Sequence, residues 1–232
     1  MTHPQNTSCE QCPNVNCFIR FCSPEWVQLI GEKKSESFYH KGQQILTEGH
    51  PIFGLYFIKN GKVKVTASDA KGKEQIVRLA SDGHILGHRG YGAESYPIGA
   101  TAMDDSIICF IDNNTLYEAF MKNPTLTFKL MMFYSQELRG VENRIKYMAQ
   151  MTVHERVVFA LLYLKEIFGY TLKNVLNVNI RRKDIAALSG TSAEEVVRSL
   201  TELEEKKLIA KDVRKIRITN EKKLQEMIEM YR

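Results

Sequence analysis

The stretch Asn179–Thr219 constrains this chain more than any other. It predicts two short helices around a tight turn, followed by a β-ribbon. The first helix spans Arg182–Leu188, with Ile185 and Leu188 on its apolar side and Ala186 and Ala187 allowing close approach. Ser189-Gly190-Thr191 forms the turn, where glycine takes the positive φ that ends a helix. Ser192 then caps a second helix, and Glu195 three residues on completes the signature of a capping box. Val196, Leu200 and Leu203 share one face of that helix, while Glu194, Val197, Arg198 and Thr201 share the other. Strands at Leu208–Ala210 and Val213–Ile218 complete a winged helix-turn-helix. Such a motif lays its second helix in the DNA major groove.

Side-chain chemistry supports that expectation. The planar fork of Arg198 matches guanine O6 and N7, Glu194 can accept from cytosine N4, and Val197 suits a thymine methyl. On an arbitrary helix, Glu194 and Arg198 would be only a surface pair worth a few tenths of a kcal/mol. Here the flanks are basic. Arg181, Arg182, Lys183, Arg214, Lys215 and Arg217, with the hydroxyls of Ser192 and Thr201, are the candidate contacts to the DNA backbone. Charge is distributed accordingly. From Met151 onward there are 16 Lys/Arg against 12 Asp/Glu, whereas the preceding residues hold 16 against 15. The net charge of +5 therefore sits mainly in the last third.

Between Glu36 and Asp112 the pattern changes to short strands punctuated by glycine. Candidates are Ser37–His40, Ile45–Thr47, Gly54–Lys59, Lys62–Thr66, Glu74–Ala80 and Ser106–Ile111. Tyr56–Val65 reads as a hairpin about Asn60-Gly61. Strands at this spacing make a small barrel or jelly roll. A long helix is expected at about Leu126–Met151. Met131, Tyr134, Leu138, Val141, Ile145 and Met148 recur along it at alternating spacings of three and four, the seam of a two-helix coiled coil and hence of a homodimer. A further helix, His154–Phe168, precedes Gly169. The expected class is α+β. It divides into a Cys-rich segment (1–30), a jelly-roll β-barrel (31–123), a dimerisation helix (124–151) and a winged helix-turn-helix domain (152–232).

Five cysteines, an odd number, argue against a disulfide framework and for metal or redox chemistry. Cys9, Cys12, Cys17 and Cys22 fall within fourteen residues, the fifth being Cys109. A C-x2-C turn followed by further thiols suits zinc or an iron–sulfur cluster. Cys17 and Cys22 also fit as small buried hydrophobes beside Phe18, Ile19 and Phe21. No apolar run long enough for a membrane helix and no basic-then-apolar leader is present, so the cytoplasm is the expected compartment. Neither a phosphate-binding glycine loop nor a nucleophile elbow appears, so an enzyme is not expected.

Strands, a long helix and a winged helix-turn-helix in this order resemble the CRP/FNR family of bacterial transcription regulators. The landmarks are Lys41-Gly42-Gln43, Glu48-Gly49, Tyr56–Val65, Gly83–Gly87 and Ile185–Arg198. The resemblance implies a dimer on a palindromic site in double-stranded DNA, with RNA polymerase as a further partner. It implies Glu194 and Arg198 as readers of the half-site, although the FNR branch has Ser where this chain has Val197. Cyclic AMP is not the implied effector. Gly87-His88 and Tyr96-Pro97 stand where the cyclic-nucleotide branch has Gly-Glu and Arg-Ser. The chain is more similar to the FNR branch, which implies a [4Fe–4S] cluster destroyed by oxygen. Its ligands would be Cys9, Cys12, Cys109 and either Cys17 or Cys22, since the third spacing is one residue short. Two rival readings stand beside this. One is a haem or small-molecule sensor using His84 or His88; the other is a winged helix that contacts protein instead of DNA.

Overall fold

The computed structural model describes residues 7–231; the first six residues of the expected Cys-rich segment, and Arg232, lie outside them. Two compact units result, one of residues through Ala67 with Ala80–Arg139, the other of Ser68–Leu79 with Gly140–Arg232.

The first unit starts with a 3₁₀ turn, Phe18–Phe21, and helix α1 (Pro24–Lys33), which has Ser23 at its N-cap and Pro24 in its first turn. Strands β1 (Ser35–Tyr39), β2 (Gln44–Leu46), β3 (Gly54–Asn60) and β4 (Val63–Ser68) follow, then β5 (Glu74–Ala80), most of which groups with the second unit. After β6 (Ile85–Leu86), β7 (Gly99–Ala102) and β8 (Ser106–Asp112) come α2 (Asn113–Lys122) and α3 (Pro124–Gln150). The strands form two antiparallel sheets, one ordered β1-β8-β3-β6, the other with β7 between β2 and β4. The jelly-roll expectation is met. Ile30 of α1, Leu116 and Ala119 of α2, and Leu126 of α3 pack with Leu55, Phe57, Ile85 and Ile111 in one buried cluster.

The hairpin expected at Tyr56–Val65 does not form. β3 pairs with β8 and β6, while β4 pairs with β7 in the other sheet. Asn60-Gly61 is a corner between sheets. Gly61 sits at φ +146°, and a Cβ there would fall 2.1 Å from Ser106 Oγ. Local turn chemistry looks alike in both cases, and the long-range partner decides. Helix α2 was not foreseen. It is capped by Asp112, whose carboxylate accepts from the backbone N–H of Asn114 and Thr115.

The second unit centres on α4 (Val153–Phe168), closed at its start by a full capping box between Thr152 and Glu155. Its Val157, Val158, Leu161 and Leu164 are fully buried. They share the core of this unit with Ile185 of α5 (Arg182–Ser189) and with Val196, Leu200 and Leu203 of α6 (Ala193–Glu205). Strands β9 (Ile209–Asp212) and β10 (Lys215–Ile218) pair antiparallel, and α7 (Glu221–Glu226) follows. The ribbon turns two residues later than expected, at Val213-Arg214 and not at Lys211-Asp212. Val213 has φ +25° and is 83% exposed at the tip.

Candidate nucleic-acid interface and cysteine pocket

The turn between α5 and α6 is built as its residues dictate. Gly190 is left-handed (φ +61°, ψ +44°), Ser189 donates its hydroxyl to the Ile185 carbonyl, and Thr191 N–H reaches the Ala186 carbonyl. Ser192 accepts from Glu195 N–H at 3.2 Å, capping α6. The Glu195 half of the expected box is not made. That carboxylate instead lies 3.4 Å from Arg198, three residues on, so Arg198 pairs with Glu195 and not with Glu194.

The outer face of α6 is open. Val197 is 49% exposed, the Arg198 side chain 72%, and Glu194 is exposed beside them. Val197 thus leaves an apolar group half in water between an acid and a guanidinium. Thr201 differs, because its hydroxyl donates to the Val197 carbonyl and accepts from Lys211 Nζ. Of the basic flank, Lys183, Arg214, Lys215 and Arg217 are exposed. Arg181 is held by the buried carboxylate of Asp184 at 2.8 Å, a bond that raises its pKa. Arg182 is half-buried, and burial pushes its pKa down.

In the first unit, Cys9, Cys12 and Cys17 line one pocket together with Cys109 of β8. Gly31 of α1 lets the N-terminal loop approach closely, since a Cβ there would meet the Cys9 backbone nitrogen at 3.1 Å. Buried Asn14 pins the loop by donating to the carbonyls of Ile58 (3.0 Å) and Lys59 (3.1 Å) in β3. Arg20 draws it closed by donating to the carbonyls of Cys12 and Asn14. Cys22 does not line this pocket; it is buried with Ile19 and Ile30 in the adjoining hydrophobic cluster, against which Cys9, Cys17 and Cys109 also pack. Of the two open choices for a third ligand, it is Cys17 that shares the pocket.

Burial raises the Cys9 thiol and pushes Cys17 up to about 11 and Cys109 to about 12. As free thiols they stay protonated at neutral pH, and a thiophilic metal is what would displace the proton. Among the described residues no three His, Cys, Asp or Glu side chains lie close enough together for a single ion. A cluster whose thiolates sit on four separate irons spaces its ligands more widely than one tetrahedral ion does. Four thiols from two chain segments around one pocket fit that donor set.

The histidines serve packing. His88 is buried, its ring edge-on to Phe133 and Tyr134 of α3 and its Nε2 3.8 Å from Glu137. Nδ1 of His84 accepts from Ser81 N–H. Tyr96 is buried too, its hydroxyl donating to the Gly54 carbonyl at 2.7 Å and its ring against Gly87, where a Cβ would come within 2.8 Å. Along α3, Met131, Leu138 and Ile145 are 57–64% exposed, Tyr134 is 36% exposed, and Val141 and Met148 are partly buried. The Tyr134 hydroxyl donates to the His88 carbonyl, so that ring also packs on its own barrel. Among the described residues no helix is long and apolar enough to cross a membrane.

Two family models match, the cyclic nucleotide-binding domain at residues 36–123 and the Crp-like helix-turn-helix domain at 155–227. The transcriptional activator protein Anr of Pseudomonas protegens is 26% identical over 181 residues, 77% of this chain and 74% of that protein. The fumarate and nitrate reduction regulatory protein of Escherichia coli is 26% identical over 183 residues, 78% of this chain and 73% of its own length. Among solved structures, FixK2 from Bradyrhizobium japonicum superposes with a TM-score of 0.75 at 23% identity. It covers 83% of this chain and 96% of its own.

Proposed function

The chain belongs to the CRP/FNR family of transcription regulators, and from that membership we propose that it is a homodimeric regulator of a palindromic operator, governed by a [4Fe–4S] cluster on Cys9, Cys12, Cys17 and Cys109. The observation that carries this reading is the convergence of those four thiols on one pocket from segments nearly a hundred residues apart. When bound, the cluster supplies an oxygen-labile link between the N-terminal loop and β8. The chain's own part is to present that loop. Asn14 and Arg20 fix its backbone, and Gly31 admits Cys9. Loss of the link frees a segment whose Cys9 and Cys17 pack against the cluster to which Ile30 of α1, Leu116 of α2 and Leu126 of α3 belong. That is a route by which the signal biases subunit association, provided the two states differ in α3 contacts.

On DNA, α6 enters the major groove with Glu194, Val197 and Arg198 toward base edges. Lys183, Ser192, Arg214, Lys215 and Arg217 face phosphates, with a lesser part for half-buried Arg182 and for Arg181 and Thr201, which are tied within the fold. Cyclic AMP is not the signal in this reading. Tyr96, part of the barrel's own packing, replaces the guanidinium that would meet a cyclic phosphate. RNA polymerase is the expected partner of the DNA-bound dimer, and the cytoplasm its compartment.

The test is anaerobic purification, followed by a visible spectrum and iron and acid-labile sulfide analysis. The expected result is about four irons per chain, the full complement of the cluster, with colour lost in air. A colourless protein without iron overturns the cluster while leaving family membership intact.

A further inference from the structure

The wall of the cysteine pocket opposite the loop is charged, and no motif foretold it. Glu36 of β1 is the direct cross-strand partner of Cys109 on β8. Residues so paired project to the same side of a sheet. A carboxylate beside a thiolate ligand is repulsive by itself, yet its side chain here is only 1% exposed. Two lysines hold it. Lys34, at the C-cap of α1, and Lys59, of β3, both donate to Glu36, Lys59 at 2.7 Å. Their side chains are 3% and 12% exposed. Thr7 is tied in as well, since its N–H donates to Glu36 at 3.0 Å and its hydroxyl accepts from Lys59 at 2.8 Å. Of the charged residues lining the pocket, Arg20, Lys34 and Lys59 are positive and Glu36 alone is negative.

Burying a lysine ammonium is expensive unless something nearby rewards its charge. Both lysines share the Glu36 carboxylate at the pocket wall. A thiolate-ligated iron–sulfur cluster is a net anion, and nearby charge and hydrogen bonds are what set its potential.

We propose that Lys34 and Lys59, clamped by Glu36, form the counter-charge wall of this pocket, stabilising an anionic thiolate-ligated cluster and setting its reduction potential. The inference rests on the cluster reading given above. Lys34, Lys59 and Glu36 are positioning residues that act on the cluster through charge, without ligating it.

The experiment uses the full chain, purified anaerobically, with Lys34→Met, Lys59→Met, Lys34→Arg and Glu36→Gln beside the wild type. The one-electron midpoint potential is read by mediated spectroelectrochemistry, the electron coming from the electrode, and the rate of bleaching in air is followed separately. Removing a lysine charge should disfavour the more negative, reduced state. The expected shift for Lys34→Met is about tenfold in the reduction equilibrium, or roughly 59 mV lower for a one-electron couple. Lys59→Met should move the same way, Glu36→Gln the opposite way, and Lys34→Arg should stay near wild type. Opposite signs are the decisive readout, because loosened packing would move Lys34→Met and Glu36→Gln together. Potentials that do not differ, or that shift in one direction, overturn the charge wall while the wild type still holds its cluster. A wild type without iron and sulfide overturns the cluster reading itself, and the wall with it.

Discussion

Lys211 Nζ, on the first strand of the wing, donates to the Thr201 hydroxyl of α6 at 2.9 Å and lies 3.0 Å from Glu204 Oε2 on the same helix. The helix proposed to read bases and the ribbon proposed to grip the backbone are thereby joined through one ammonium. A lysine committed to two partners on its own protein is poorly placed to neutralise a phosphate. Arg214, Lys215 and Arg217 are exposed on the same ribbon, and among the described residues their side chains make no such ties.

The salt dependence of DNA binding separates these roles. Each phosphate contact contributes about 0.9 to the slope of log K against log salt. Neutralising Arg214, Lys215 or Arg217 should each reduce that slope by about one. Lys211→Met should leave it unchanged while lowering affinity severalfold at all salt concentrations, as the wing loosens. A slope that drops for Lys211→Met would reassign that lysine to the DNA.

Arg198 poses a related question of which interaction wins. Its contact with Glu195 is solvent-exposed, and such i,i+3 pairs are worth only a few tenths of a kcal/mol. A bidentate guanidinium–guanine contact is worth about 1–3 kcal/mol of discrimination. In the proposed complex the DNA contact therefore outweighs the ion pair, and Arg198→Ala should weaken specific binding by about that amount while hardly changing binding to random duplex. Competition titrations against base-substituted operators measure both. Equal losses on every sequence would remove Arg198 from the base-reading set.

How much of this was legible beforehand differs between the two units. The helix-turn-helix could be read in advance because its signals are local. Gly190 stops one helix, Ser192 starts the next, and Val196, Leu200 and Leu203 keep one face apolar. In the barrel, β6 and β7 escaped notice, being two residues long and Gly-Ala-Thr-Ala respectively, too short or too small to show a period. Asn60-Gly61 was misread because strand partners are chosen by distant segments. Cys109 entered the ligand set only through family resemblance. Its neighbours Lys34, Glu36 and Lys59 look like ordinary solvated charges until the strand register brings them to one wall. Helix α2 did carry a signal, in Asp112 followed three residues later by Thr115, ahead of Leu116 and Ala119.

That cap gives a pH prediction. Hydrogen bonds from the Thr115 backbone and hydroxyl, and from Asn114 N–H, hold the Asp112 carboxyl below its ordinary 3.8. In the unfolded chain it regains a proton near that value, so between the two pKa values the unfolded state binds more protons. Stability from this group is thus present above about pH 4 and is lost as pH falls through the folded value. Asp112→Ala should cost about 1 kcal/mol at pH 7. In urea unfolding the gap to wild type should hold from pH 7 to about 5 and narrow below 3.8. A gap constant down to pH 2 would mean that helix packing, and not the ionised cap, is what the substitution removes.

The proposed dimer seam allows the most direct test. Met131, Leu138 and Ile145 recur every seven residues, Tyr134, Val141 and Met148 do likewise, and the 27-residue α3 has one buried residue, Leu126, among them all. At 1.5 Å per residue the helix is about 40 Å long, so its apolar stripe is left in water along most of that length in a single chain. Pairing with a second copy through knobs-into-holes packing would bury it. An aspartate at Ile145 places a charge inside that seam, where it is left without a partner. Sedimentation velocity on Ile145→Asp should show monomers at concentrations where the wild type is dimeric. Glu142→Gln, one turn away on an exposed position, should leave the dimer intact. Because two half-sites are then no longer engaged together, binding of Ile145→Asp to the full palindrome should fall to that of a single half-site. A dimer that persists in Ile145→Asp places the interface on another face of the chain.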